Sequence, residues 1–206
     1  MNNNKIELIG KIASEIVVDV SNSTYEFTIE TKRRSSAIDK VKCEISREDI
    51  SLERLYQLKS CQIKAIGKIY TEHTGGDNRH LRIFAHLTQI EEDKNVLPNN
   101  FNTNIVYLEC YVVRQPVFRI TPRGLAITDL FVACNHDGRS EYVPVICWNK
   151  CAESARYLTV GDKTSIFGRL QSREYEKTEV DEKYNKTAKV TKTAYELSCI
   201  YFAKCK

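Results

Sequence analysis

The sequence contains few of the residues that interrupt regular structure. Among its 206 residues are only 8 glycines, 4 prolines, one tryptophan and one methionine. This scarcity excludes a collagen-like or low-complexity chain. No stretch approaches the roughly 18 apolar residues of a membrane helix, and residues 1–7 lack the apolar run of a secretory signal. We therefore expect a cytoplasmic protein without membrane segments.

Signatures of catalysis are also missing. The sequence has no glycine-rich loop of the Walker type, and its four histidines follow no metal-ligand spacing. No Ser/His/Asp or Cys/His arrangement can be singled out. We therefore expect a protein that is not an enzyme and has no cofactor.

The eight cysteines do not indicate disulfides, because a chain of this length without a secretory signal is not a small secreted scaffold. Several alternate with apolar residues, as buried thiols on a strand do. Cys147 and Cys151 are the closest pair, but their spacing is not that of a zinc knuckle. The sequence therefore predicts reduced core thiols and no metal site.

The chain has the organisation of a tandem repeat. Residues 4–12 align with 104–112, and 66–69 align with 167–170, a period of about 100 residues. Between the halves, residues 91–104 are polar, rich in asparagine and broken by a proline, which is typical of a linker. We predict a first domain over 1–92, a linker over 93–103 and a second domain over 104–206.

Each half contains short strands of period two and one short helical patch. Three strands, a helix and two further strands in about 95 residues form the layout of a five-stranded OB barrel. The fold class is therefore all-β with short helices, in two tandem five-stranded OB-fold barrels. The predicted strands and helices include 25–31, 41–45, 51–58 and 80–90 in the first half, and 127–134, 142–148, 152–158 and 191–203 in the second.

Alternation and charge both draw attention to the second half. Residues 1–103 hold equal numbers of basic and acidic residues, so residues 104–206 carry the whole net charge of +4. On one strand Tyr142 and Trp148 share a face, opposite an apolar set that suits the core. On another, Arg169 and Arg173 share a face with Tyr175. An outward surface of arginine and aromatic residues suits single-stranded DNA, since bases stack on rings and guanidinium groups bind phosphates.

The second half also resembles the bacterial single-stranded-DNA-binding protein family, in five blocks that occur in the family's order. They lie at residues 113–127, 131–135, 145–153, 158–162 and 168–175. The resemblance implies base stacking at the positions of Tyr142, Trp148 and Tyr175. The candidate DNA-binding residues are Trp148, Tyr175, Tyr142, Arg173, Arg169, Arg119, Thr121, Arg123, Arg139 and Lys150. The structural alternative is that the aromatic residues fill a core or an interface, and that the arginines line a solvated strand edge.

The first half resembles the family only in its opening strand and its Gly67 block. The repeat places Ser46 opposite Trp148 and Glu72 opposite Arg173, so we expect a first barrel that is mainly architectural or that holds DNA more weakly. Its weaker candidates for DNA contact are Arg33, Arg34, Lys68 and Tyr70.

The predicted function is sequence-independent binding of single-stranded DNA in replication, recombination or repair, in association with the nucleoid. The alternative is a primosome-type OB adaptor that mainly docks replication proteins. The resemblance also implies an acidic tail that recruits enzymes, but residues 200–206 carry only basic charges, which makes such recruitment doubtful. We expect a homodimer with four barrels, joined through the opening-strand face of Ile105, Tyr107, Glu109 and Tyr111. The alternative is a monomer in which the first barrel covers the opening strand of the second.

Overall fold

The computed structural model describes residues 3–74, 80–94, 103–181 and 186–205. Side chains are not described for 74, 80, 174–181 and 186–192. The first half contains β1 (Asn4–Ile12), β2 (Val17–Asp19), β3 (Thr24–Lys32), β4 (Ile38–Ser46), α1 (Leu52–Leu58), β5 (Ile63–Thr74) and β6 (His80–Glu92). The second contains β7 (Asn104–Val112), β8 (Val117–Ile120), β9 (Ala126–His136), β10 (Arg139–Trp148), α2 (Lys150–Ala155), β11 (Lys163–Asp181) and β12 (Lys186–Lys204).

Each half closes into a five-stranded barrel. In the first, the strands pair in the order β1, β3, β4, β6, β5 and back to β1. In the second, β7, β9, β10, β12 and β11 pair in the same order and close on β7. In each barrel one pairing is parallel, β4 with β6 and β10 with β12, and the others are antiparallel. This topology confirms the prediction of an all-β fold with two tandem OB barrels.

The core follows the period-two pattern of the strands. On β7 the predicted inward set of Val106, Leu108, Cys110 and Val112 is buried. The helices α1 and α2 each bury two residues against their barrels. Within the described ranges, no helix is long and apolar enough to cross a membrane.

Each barrel contains an asparagine at a repeat-related position whose side chain hydrogen-bonds to the backbone of the closing strand. The Asn4 side chain donates to the Ile69 carbonyl and accepts from the Ile69 amide, both at 2.8 Å. Asn104 makes the same pair of bonds to Leu170, at 2.7 and 3.0 Å. Each asparagine thus satisfies a buried amide and carbonyl of the strand that closes its barrel.

One glycine marks the bulge in each closing strand, β5 and β11. The register of β5 against β6 shifts at Gly67, and that of β11 against β12 shifts at Gly168. A Cβ atom at either position would lie within 2.4 Å of a backbone oxygen of the neighbouring strand. The aligned glycines are therefore required by the close approach of two backbones.

The barrels are joined through their opening strands. β1 and β7 pair antiparallel, with Ile6 opposite Val106 and Lys5 opposite Tyr107. The described strands therefore form one continuous twelve-stranded sheet. An edge of each opening strand is therefore used in the contact between the two barrels.

The charged residues 174–189 are not among the strands predicted from the sequence. They lie mostly in the paired backbone of β11 and β12, whose register runs out to Asp181 and Lys186. Alternation is masked there by charged residues, because a two-stranded ribbon has no core side to fill. The barrels fall on either side of the predicted linker, and most of that linker, 95–102, lies outside the described residues.

We expect replacement of Asn104 by alanine to destabilise the protein. The change leaves the buried amide and carbonyl of Leu170 without partners, which costs about 1–3 kcal/mol for each group. Urea unfolding should therefore show a lower midpoint. Gln115→Ala, an exposed loop substitution, is the control, and equal midpoints for the two variants would contradict the role of the asparagine.

Candidate nucleic-acid interface

Trp148 stands at the end of β10 and points away from the barrel core. Its strand neighbours Val143, Val145 and Cys147 are buried, as the alternation predicted, whereas Trp148 is half-buried. Ile146, on the same outward face, is covered as well, with 6% of its surface exposed. The indole ring of Trp148 therefore follows a buried isoleucine on the outward face, and part of the ring itself is exposed.

The sheet register aligns arginines on both sides of Trp148. Ile127 is the partner of both Trp148 and Arg119, so Arg119 lies two strands away, about 10 Å, on the same face. On the other side Ser198 is the partner of both Ile146 and Arg169. The outward face of the second barrel therefore carries Trp148 between Arg119 on β8 and Arg169 on β11.

A groove of about 470 Å³ opens beside this tryptophan, and we call it the Trp148 groove. It is lined by Arg33, Trp148, Arg169, Gln171, Ser172, Arg173, Ser198, Cys199 and Ile200. The structure thus brings three of the candidate residues, Trp148, Arg169 and Arg173, together in one groove. It also adds a first-domain residue, Arg33.

Arg33 has one hydrogen-bonding partner in each barrel. Its Nε donates to Asp39 at 2.7 Å, and its terminal nitrogen pairs with the same buried carboxylate. The same nitrogen donates to Oε1 of Gln171, in the second barrel, at 3.3 Å. The bond to Asp39 raises the pKa of Arg33 above its ordinary value. Arg33, in the wall of the Trp148 groove, therefore forms an ion pair of fixed geometry with Asp39.

Arg169 has the opposite environment. Its Nε is buried and, among the described residues, has no hydrogen-bond partner. Burial lowers the pKa of Arg169 below its ordinary value, and the nearby charge of Arg33 lowers it further. Two guanidinium groups close together, one of them incompletely bonded, favour a bound anion such as a phosphate.

A second groove, of about 720 Å³, adjoins the first and shares Arg33, Arg169 and Ile200 with it. Its remaining lining includes Lys32 and Arg34 from the end of β3 and the loop after it. Arg33 and Arg34, weaker candidates from the sequence, therefore face the same cationic region as the second-domain residues. The sequence gives no sign of this proximity, because Arg33 and Gln171 are 138 residues apart.

Tyr142 lies on the same face of β10 as Trp148 but about 20 Å along the strand. It is 41% exposed and stacks on Phe131, with the ring centres 6.1 Å apart. Arg114 lies over the other ring of this pair, 4.3 Å from the centre of Phe131. Sequence reasoning missed Phe131 and Arg114 as site residues, although both belong to the blocks that carry the resemblance. Tyr142 is thus part of a second aromatic and cationic patch.

Three candidates lie in the β8–β9 hairpin, and a fourth, Lys150, lies at the start of α2. Arg119 is paired with Asp129 at 2.9 Å, which raises the pKa of its guanidinium. Thr121 fixes the turn by accepting from the Leu125 amide at 3.0 Å. Arg123 and Lys150 are exposed. These four residues flank the Trp148 face without lining its groove.

Three further candidates lie at the contact between the barrels. Tyr70 stacks on His86 at 4.7 Å, and Arg139 lies 4.6 Å from the centre of its ring. Lys68 pairs with Asp137 of the second barrel. The ring of Tyr70 and the charges of Lys68 and Arg139 thus have partners within the chain, and their predicted DNA contact stays a prediction.

Tyr175 lies in the β11–β12 ribbon, where its backbone is opposite Lys192. Its side chain is outside the described residues, so its predicted stacking role stays a prediction.

Three cysteines converge directly behind Trp148. The Sγ atoms of Cys147, Cys151 and Cys199 all lie within 4.8 Å of one another, and those of Cys151 and Cys199 are 3.6 Å apart. Hydrogen bonding with Cys147 and then with Cys199 lowers the pKa of Cys151, and the same bond with Cys151 raises the pKa of Cys147. Sequence spacing could not reveal this cluster, because Cys199 comes from a distant strand.

Comparison with known proteins agrees with this geometry. Residues 103–197 match the model of the Single-strand binding protein family. A single-stranded DNA-binding protein of Clostridium tetani is 35% identical over 89 residues, which are 39% of this chain and 61% of that protein. One from Halalkalibacterium halodurans is 31% identical over 84 residues, 37% of this chain and 50% of that protein. The matched segment thus spans half to three fifths of these relatives.

The fold is matched over almost the whole chain. The crystal structure of the wild-type single-stranded DNA binding protein from Thermus aquaticus superposes with a TM-score of 0.74 at 17% identity. The superposition covers 98% of this chain and 93% of that one. Both barrels therefore have a structural counterpart, while the sequence match is confined to the second. The second domain is thus similar to the single-strand binding protein family over residues 103–197.

Proposed function

We propose that this protein binds single-stranded DNA without sequence preference, with the Trp148 groove as its central site. The observation that carries the proposal is the lining of that groove. One partly exposed tryptophan lies beside Arg33, Arg169 and Arg173, and a buried Nε of Arg169 has no partner within the described residues. The names of the relatives support the same function.

The two kinds of side chain do different work in this proposal. A base stacks on the indole of Trp148, which contributes about 1–3 kcal/mol whatever the base is. The flanking phosphates receive hydrogen bonds from Arg169 and Arg173, which both line the groove. Duplex DNA fits poorly, because its bases are already stacked and only its phosphates are available.

The adjoining groove extends the proposed path onto the first barrel. Lys32 and Arg34 give that groove its positive charge, since Arg33 is paired with Asp39, which also lines it. No first-barrel aromatic among the described residues lines either groove. We infer that the first barrel contributes phosphate contacts but no base stacking. In this proposal the first barrel contacts DNA directly, whereas a purely architectural barrel would not.

The proposed role is to cover and organise single strands during replication, recombination or repair, with no catalytic step. The adaptor alternative predicts a protein that docks replication enzymes and has little affinity for free DNA. No specific contact among the described residues favours that alternative.

Removing Trp148 separates these possibilities. Trp148→Ala should weaken binding of labelled oligo(dT) by a factor of roughly 5–150, the equivalent of one lost stacking contact. Fluorescence anisotropy measures the affinity, with a duplex of equal length in parallel. The wild-type protein should prefer the single strand. Tyr56→Ala, which removes an exposed aromatic ring from α1, is the control.

Equal affinity of the wild-type protein for duplex and single strand would contradict the proposal. So would an equal loss in the Trp148 and Tyr56 variants, because stacking would then not be localised in the groove. Absence of binding to either DNA would favour the adaptor.

Replacing Arg169 by glutamine tests the phosphate contact. Counterion release makes log affinity fall linearly with log salt, and loss of one phosphate contact should make that slope shallower by about one. Titrations of oligo(dT) at several salt concentrations measure it. Arg54→Gln, on α1, removes an exposed arginine outside both grooves and should leave the slope unchanged. An unchanged slope for Arg169→Gln would place the phosphate elsewhere.

We also propose that the protein is a homodimer with four barrels. The outward faces of β7, β11 and β12 carry a row of large side chains in register, Tyr107 opposite Phe167 and Phe167 opposite Tyr201. Phe167 is 38% and Tyr201 64% exposed. A second copy of the chain, related by a twofold axis, would cover this row. The contact thus involves the face of the opening strand, since its edge is paired with β1.

Light scattering should give a mass of about 47 kDa, because the chain is 23.7 kDa. Tyr201→Lys should shift the protein toward a single-chain mass by placing a charge in the row. Tyr157→Lys changes a tyrosine that is also exposed but lies outside this row, and it should leave the dimer intact. A wild-type mass of one chain at micromolar concentration would refute the dimer.

A further inference from the structure

The three converging thiols belong to elements that meet at the floor of the Trp148 groove. Cys147 is the residue before Trp148 on β10, Cys151 lies in α2, and Cys199 lies on β12. Cys147 and Cys199 are buried, and Cys151 is half-buried. Cys199 also lines the groove itself. The proposed DNA contact does not use these sulfurs.

The convergence follows from the fold. β10 and β12 pair in parallel, with Ile146 opposite Ser198, so the next residue on each strand is a cysteine directed to the same side. Asn149 then adopts a left-handed φ of 50°, and its amide is held by the Ala126 carbonyl at 2.8 Å. This sharp turn starts α2 immediately after the strand and carries Cys151 back over the other two.

We propose that Cys147, Cys151 and Cys199 form a binding site for a thiophilic d10 cation such as Zn²⁺. Thiolate ligands about 2.3 Å from a zinc ion lie about 3.8–4.0 Å from one another. The three sulfurs lie within 4.8 Å of one another before any ion is present, so small side-chain rotations complete the coordination. The cluster contains neither histidine nor carboxylate within the described residues.

The donor set defines the class of ion. Three sulfur ligands favour soft cations and disfavour Mg²⁺ and Ca²⁺, which take oxygen ligands. Three protein ligands also leave a fourth position open, on the half-buried side of Cys151. The sequence-based expectation of no metal site is thereby revised, since it considered Cys147 and Cys151 without the third thiol.

A disulfide is the competing use of these thiols. It would join two sulfurs and leave the third without a function, whereas the structure brings all three within a common radius. A bound ion instead ties together the end of β10, the start of α2 and β12. Those are the elements that hold Trp148, so occupancy should make the groove floor more rigid.

Titration of the reduced, metal-free protein with Cd²⁺ tests the proposal, because Cd²⁺ replaces Zn²⁺ at thiolate sites and absorbs by ligand-to-metal charge transfer. One Cd²⁺ should bind per chain, Zn²⁺ should displace it, and three of the eight thiols should become unreactive toward a thiol reagent. Cys151→Ser should weaken Cd²⁺ binding at least tenfold. Cys61→Ser, a half-buried cysteine in the first domain, is the matched control.

Absence of saturable Cd²⁺ binding, or equal binding by the two serine variants, would overturn the site. Protection of only two thiols, with loss of two hydrogens in the mass spectrum, would assign a disulfide instead and would equally overturn it. None of these readouts depends on DNA. The metal site and the proposed DNA binding can therefore fail independently.

Discussion

The antiparallel pairing of β1 with β7 is the contact on which the arrangement of this protein depends. It uses the free edges of two separate barrels and makes one sheet of them. An unpaired edge of this kind would otherwise recruit another chain. Because the pairing fixes one barrel against the other, the loop after β3 comes to lie against β11, and Arg33 reaches Gln171. The cationic wall of the Trp148 groove is therefore a product of domain association.

A second contact holds the same arrangement from the other side. Glu141 is 1% exposed, and its carboxylate accepts from the Thr71 amide and hydroxyl of the first barrel at 2.6 and 2.8 Å. Arg139 donates to the same carboxylate at 2.9 Å. A buried carboxylate needs such partners, because an unpaired charge in the interior is costly. This requirement explains why Arg139 is occupied at the domain contact.

Local pattern carries most of the fold and part of the site. Period-two alternation places Trp148 outward and Cys147 inward, and the structure agrees with both. The local sequence does not determine which distant strands pair or in what register, because any apolar strand can pair with several others. For that reason the sequence could not place Arg33 beside Arg169, or Cys199 beside Cys147. It also could not show that Lys68 and Tyr70 are covered, since their partners come partly from the opposite barrel.

The two barrels show how one backbone can be retained while its surface diverges. Asn4 and Asn104 make equivalent bonds, and Gly67 and Gly168 occupy equivalent bulges, so the closure of the barrel imposes the same residues twice. No such constraint acts on the outward face. There, Glu72 of the first barrel stands at the repeat position of Arg173, and it pairs with Arg82 at 3.5 Å. The first barrel has thus neutralised this part of its own surface, while its Lys32, Arg33 and Arg34 are concentrated where it adjoins the Trp148 groove.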